Sequence, residues 1–430
     1  MLAEDLLPLC WRAVLPLHNF VFGGMLKGSR KVAESSSRGH ETTSSDSFPS
    51  AAFELGYGRA RLWLGISAVG TLVTLATLGL FFDLPHRIQQ NIDSTIGGQA
   101  RGLLWFVIIY AAIQLPFDLL GGYFLPKRFG RNHQHFSRHL LSLARGVTAH
   151  AALLFLAAMA ILVAGRWGGI AGTVLAGSLI SLFLLGGRLA LAKLMSPLQL
   201  TPIERKSVAA SDALPIAVAQ SRDEGFTGAV VGVLRPRLHI VPKMWHDVLK
   251  DDGFEVVMRR RSLAVKIGGW RRGRAVSILF TLTGLAIAAW LVGSASLGTA
   301  GGTIEFSLWF TLWSFIGLLT LPTLSRRGVI EIDERAQAEG ESPETLRATT
   351  RLLDGLQDGE SIRPALIETI FHPIPSVQSR LEGPRSKGRI GFWDAARSSV
   401  YLSLAGLGLL GRAVHCNCGR PSLWVFLPTD

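Results

Sequence analysis

Six long apolar stretches, at roughly 62–82, 102–126, 147–164, 169–192, 275–297 and 305–324, limit what this chain can fold into. A helix needs about 20 mostly apolar residues to cross the hydrocarbon core of a bilayer. Composition agrees with that reading. Of 430 residues, 48% are hydrophobic and only 17% are charged, against about 25% charged in an ordinary soluble domain. The fold class that follows is mainly α: a polytopic helical membrane protein of about six to seven spans. A seventh apolar stretch, about 399–411, is short and Gly-rich. Re-entrant and interfacial placements both stay open for it.

The formal net charge of +13 first suggests a phosphate-bearing partner, but the placement of the cations argues otherwise. "PKRFGRNHQHFSRH" follows the second span, and the segment 193–274 carries Lys206, Arg222, Arg235, Arg237, Lys243, Arg259, Arg260, Arg261, Arg271, Arg272 and Arg274. Arg326 and Arg327 open the segment after the sixth span. The loop 298–304 has no charge, and the loop near 165–168 has only Arg166. In a six-span topology every basic loop then falls on one side, which the positive-inside rule makes cytoplasmic, together with the N-terminus. A charge excess that topology accounts for implies the lipid bilayer as partner and no nucleic acid. The expected location is the cell (cytoplasmic) membrane, multi-pass.

The remaining features are plainer. The first 60 residues hold no cleavable signal pattern, and "ESSSRGHETTSSDSFPS" reads as a disordered linker. Cys10, Cys416 and Cys418 read as reduced thiols, because "HCNCG" lacks the second pair a zinc ribbon needs. The expected organisation is an N-terminal cytoplasmic region (1–60), a four-span membrane region (61–193), a cytoplasmic segment (194–274), a two-span hairpin (275–324), a second cytoplasmic segment (325–398) and an apolar C-terminal segment (399–430). The two cytoplasmic segments flank the hairpin, so the economical arrangement joins them in one small α+β domain. Within it, "GAVVGVLRPRLHIVP" predicts a strand or hairpin, and "KMWHDVLKDDGFEVVMRRRSLAVKIGG" predicts two helical pieces broken at Asp251–Gly253.

At this point the chain resembles a family. "LPFDLLGGYFLPKRFG" (115–130), "RLHIVPKMWHDVLKDDGFEVVM" (237–258), "SRRGVIEIDERAQAEG" (325–340) and "HPIPSVQSRL" (372–381) stand in the order and membrane context of membrane-embedded zinc metallopeptidases of the CAAX prenyl protease type. The resemblance implies that 194–274 and 325–398 are metallopeptidase-like segments. It also implies a helix bearing H-E-x-x-H, which places two imidazoles on one face for zinc and a Glu as general base. A later Glu would be the third ligand.

This chain departs from that pattern at every one of those positions. Aligned through "EVVM", the motif positions hold Arg259, Arg260 and Leu263. The third-ligand position holds Val329, while Glu331 and Asp333 match the acidic residues that follow. His372 and Arg380 match the His-Pro…Arg segment, with the Arg two residues late. The catalytic set is therefore expected to be absent, and no cofactor is expected where the family uses zinc. The leading expectation is a catalytically degenerate pseudopeptidase that binds peptide or membrane-protein segments. Glu331 and Asp333 are the natural partners for Arg259 and Arg260, since an unpaired buried charge is costly. The alternative is an active zinc metalloendopeptidase with a non-standard site drawn from His133, His135, His139, His239, His246 or His372. A transporter-like protein built on Asp118 and Arg188 is a third expectation, with both residues more readily read as span-end side chains reaching for the interface.

Overall fold

Backbone groups that cannot reach water must bond to one another, so the apolar stretches fold as helices. The computed structural model describes residues 56–131, 134–203, 214–221, 223–233, 235–382 and 390–429. His133, Lys206, Arg222 and the N-terminal region through residue 55, with its Ser-rich tract, lie outside the described residues. The first half contains α1 (Tyr57–Phe81), α2 (Leu84–Gln89), α3 (Ile96–Leu119), a π-helical turn (Leu120–Phe124), α4 (Leu125–Arg128), α5 (Phe136–Gly186) and α6 (Arg188–Met195). Strands β1 (Gln199–Ile203), β2 (Ile216–Gln220), β3 (Ala229–Gly232) and β4 (Pro236–Pro242) follow. Then come α7 (Lys243–Val248), α8 (Asp251–Lys266), α9 (Gly269–Val292), α10 (Ala300–Ala338), α11 (Pro343–Gln357), α12 (Ala365–Phe371), α13 (Val377–Glu382), α14 (Ala395–Leu402) and α15 (Pro421–Val425).

Among the described residues, five helices are long and apolar enough to cross a membrane, where the sequence suggested six spans. The difference lies in α5, which contains the 147–164 stretch and most of the 169–192 stretch, the remainder continuing into α6. Gly169 has φ 53 and ψ −134, a backbone conformation essentially confined to glycine. The chain reverses there. A side chain at Gly172 would stand 2.2 Å from the Ala164 carbonyl oxygen, although residues eight apart in a straight helix are about 12 Å apart along the axis. Far from the bend, Arg145 donates to the carbonyls of Leu194 (2.9 Å) and Lys193 (2.7 Å), so the two arms run side by side. The two expected spans are thus the arms of one helical hairpin.

Charge-poor loops meet at one end of the bundle. Arg166 donates to Ser94 O (3.3 Å), Gln89 accepts from Gly301 N (2.8 Å), and Gly165 packs on Leu297. At the other end, Arg131 of the basic loop donates to the carbonyls of Leu356 (3.1 Å), Gln357 (2.9 Å) and Gly355 (2.8 Å) at the end of α11. The basic segments therefore gather where the sheet and the shorter helices lie.

The sheet has the order β1-β2-β4-β3, with β2 and β4 parallel and both outer pairs antiparallel. The expected hairpin is β3–β4. The two helical pieces are α7 and α8, with Asp251 and Asp252 in the first turn of α8, where the helix dipole favours negative charge. Gly268, at φ 78, ends α8. Val218, Val241, Trp245, Phe254 and Val257 form one apolar core that joins the sheet to α7 and α8.

The C-terminal stretch neither spans nor lies on the interface. From Phe392 through Leu427 it is almost wholly buried, as α14, two 3₁₀ turns (Ser403–Gly406 and Leu409–Arg412) and α15. Glycines admit it: a side chain at Gly65 would meet the backbone of His415 at 2.5 Å, and one at Gly122 would meet Gly419 O at 2.2 Å. Buried polar groups of the helices bind it. Tyr110 donates to Leu409 O (3.1 Å), Tyr401 to Leu184 O (2.7 Å) and Arg188 to Val425 O (2.9 Å). Asp118 pairs with Arg412 and accepts from Gly419 N (2.8 Å). This corrects the sequence reading of Asp118 and Arg188. Both are buried, neither reaches for the interface, and each ties down the C-terminal segment.

Removing one partner of a buried ion pair costs about 3–5 kcal/mol. Asp118→Ala is therefore expected to lower the unfolding midpoint of the detergent-solubilised protein clearly, and Arg412→Met added to it to recover much of the loss. Equal midpoints for all three proteins would refute the pairing.

Candidate functional site

Helix α8 carries the positions where the resemblance places a metal motif, and each side chain there has a different job. Arg259 points outward, donating to Glu339 O (2.5 Å) and pairing with Glu341 (3.4 Å). Arg260 is buried, with its Nε 2.6 Å from Asp333 Oδ1 on the C-terminal part of α10. Arg380 of α13 reaches the same carboxylate, with Nε 2.7 Å from Oδ2 and Nη2 3.1 Å from Oδ1. Asp333 thus joins three elements drawn from both segments that flank the α9–α10 hairpin. Glu331 instead accepts from Arg272 (3.1 Å) and Gly391 N (2.8 Å). The expectation that both carboxylates serve Arg259 and Arg260 therefore needs correcting: only the Arg260–Asp333 contact forms. Glu331 lies part of a turn away on α10 and faces the start of α9.

Leu263, 2% exposed, lies one turn beyond Arg259 and Arg260 and packs in one apolar cluster with Val329, 0% exposed. Ile332, Trp270 and Trp393 complete the contact. Sequence reasoning passed over Arg261, whose buried guanidinium donates to Ile240 O (2.7 Å) and Thr227 O (2.5 Å) and stacks over Trp245. It holds α8 to the sheet.

These positions do not fit zinc. A guanidinium offers donors only, Leu263 and Val329 offer no lone pair, and the space between the two helices is filled by side chains.

The other histidines named from the sequence are scattered. His135 precedes the first turn of α5 without a side-chain capping bond, and His139 packs on the Tyr123 ring (5.4 Å). His239 is buried in β4, and His246 lies on the surface beside Asp247. His372 is the exception. At the end of α12 its ring lies 5.1 Å from that of His415 in the C-terminal segment. With Asp358, at the end of α11, these residues bring three potential ligand atoms within 4.8 Å of one another. Burial pushes both imidazoles down, His415 to about 4 and His372 well below its ordinary range. Burial alone would raise the Asp358 carboxyl, but Arg61 and Arg363 outweigh it and hold that group below the usual carboxylate range. Asp358 and His415 carried no local sequence signal, because three separate segments converge on this place.

No family model matches the chain, and no curated protein matches it. Among solved structures, the crystal structure of S. mikatae Ste24p aligns with a TM-score of 0.55 at 12% identity, covering 86% of this chain and 97% of that one. The chain has a Ste24p-like polytopic membrane fold.

Asp333→Ala would leave two buried guanidiniums facing each other. It is expected to destabilise by about 3–5 kcal/mol, while Glu331→Gln, at the better-exposed pair with Arg272, costs about 1 kcal/mol or less. Denaturant unfolding of the two variants checks this. Equal losses would contradict the central place of Asp333.

Proposed function

We propose that this protein is a catalytically degenerate member of the metallopeptidase-like membrane fold, binding peptide or membrane-protein segments without hydrolysing them at the motif position. The observation that carries the reading is the burial of Leu263 and Val329 in one apolar cluster beside the Arg260–Asp333–Arg380 cluster. Ste24p is a zinc-dependent CAAX prenyl protease, and such chemistry needs nitrogen or oxygen donors around the ion and an open position for water. Here the corresponding helices meet through hydrocarbon and through an ion cluster.

A cavity of about 660 Å³ offers a place for the bound segment. It lies where the basic loop, the ends of β1 and β2 and the C-terminal segment meet, and Tyr57, Arg138, Gln220, Asp223, Lys243 and Asp247 border it. Mixed charge beside backbone edges suits an extended polypeptide better than a small apolar ligand. In this reading the protein is a multi-pass protein of the cytoplasmic membrane, with the N-terminus, the sheet and this cavity on the cytoplasmic side.

The second reading, an active zinc metalloendopeptidase with a non-standard site, rests on the Asp358–His372–His415 cluster. Incubation of the purified protein with unfolded membrane-protein segments separates the two. The proposal expects cross-linked complexes of intact mass, and about tenfold weaker binding by Arg138→Glu with Lys243→Glu, a loss of about 1.4 kcal/mol. Chelator-sensitive cleavage would favour the second reading, and no binding at all would sink the first.

A further inference from the structure

We propose that Asp358, His372 and His415 form a binding site for a divalent metal ion, with zinc the ion best suited to its donors. Two imidazoles and one carboxylate make an N₂O set, which suits zinc, whereas magnesium and calcium favour all-oxygen sites. The ligand atoms already lie within 4.8 Å of one another. Around a tetrahedral zinc with bonds of about 2.0–2.2 Å, ligand atoms stand about 3.4 Å apart, so a closure of about 1 Å completes the set. The residues come from the end of α11, the end of α12 and the C-terminal segment. They are not the residues of the α8 motif.

Four further observations support the assignment. Nε2 of His372 is buried and has no hydrogen-bond partner, which costs free energy that coordination would recover. Asp358 is held in place by Arg61 on Oδ1 (3.1 Å) and Arg363 on Oδ2 (3.3 Å), as ligating carboxylates commonly are by neighbouring donors. A carboxylate has about four lone-pair sites, so two guanidiniums leave room for an ion. Their charges are balanced as well: Arg363 also pairs with Asp354 (3.4 Å), and Arg59 with Glu360 (3.0 Å). Arg59, Arg61 and Arg363 are thus paired with Asp354, Asp358 and Glu360, while Arg380 and Arg397, which also line the cavity, pair with Asp333 and Asp394. The cluster opens on a cavity of about 70 Å³, also lined by Arg380 and Cys416, with room for one or two waters as remaining ligands.

The test uses the full chain in detergent, stripped with chelator and titrated with zinc alone by calorimetry, with metal analysis of the product. One equivalent is expected for the unmodified protein. At least tenfold weaker binding is expected for His372→Gln and for His415→Gln, and no change for His246→Gln. Absence of bound zinc, or full retention in both cluster variants, would overturn the site. If the variants fail to fold, copper(II)-loaded unmodified protein decides by pulsed electron paramagnetic resonance. Modulation from two imidazoles supports the site, and a spectrum without imidazole coupling refutes it. Metal occupancy and substrate cleavage are separate measurements, so failure here leaves the peptide-binding reading untouched.

Discussion

One carboxylate, Asp333, accepts from two buried guanidiniums and joins α8, α10 and α13. The sheet-bearing part of the fold is built around that junction. Segments separated in sequence by the α9–α10 hairpin become one unit because Arg260 and Arg380 each need an acceptor that water does not supply. A carboxylate has about four lone-pair sites, so Asp333 can accept from both guanidiniums at once. Beside it, Leu263 and Val329 close the space between α8 and α10 with hydrocarbon. The two arrangements together fill the space between α8 and α10 with ordinary packing and pairing.

A second constraint acts inside the bundle. A segment of short helices and turns, largely surrounded by membrane helices, must find partners for its backbone groups within the protein. Tyr110, Asp118, Arg188 and Thr311 supply them, Thr311 by accepting from Leu409 N (3.1 Å). Charged residues in apolar helices are costly and invite a transport reading. Here they anchor the chain's own C-terminal segment. The same segment delivers His415 to Asp358 and His372, so the way it packs also determines the candidate metal cluster.

Much of the fold was legible in the sequence because spans, loop charges and strand patterns are local signals. The apolar stretches located the helices, and the alternation in "GAVVGVLRPRLHIVP" located the β3–β4 hairpin. The reversal at Gly169 was visible as the break between two apolar stretches. The Arg260–Asp333 pair followed from the cost of an unpaired buried charge. Glu331 was misassigned because spacing along α10 does not say which neighbour each face of the helix meets. The Asp358–His372–His415 cluster was not legible at all. It depends on where a C-terminal segment of no regular period comes to rest, which only tertiary packing decides.

The account rests most heavily on the absence of metal coordination between α8 and α10. Crystals of the full chain grown with zinc, measured on both sides of the zinc absorption edge, test it directly. The account predicts no anomalous peak within about 4 Å of Leu263 and Val329, well beyond any zinc–ligand bond length. A peak there, with protein atoms at coordination distance, would contradict it.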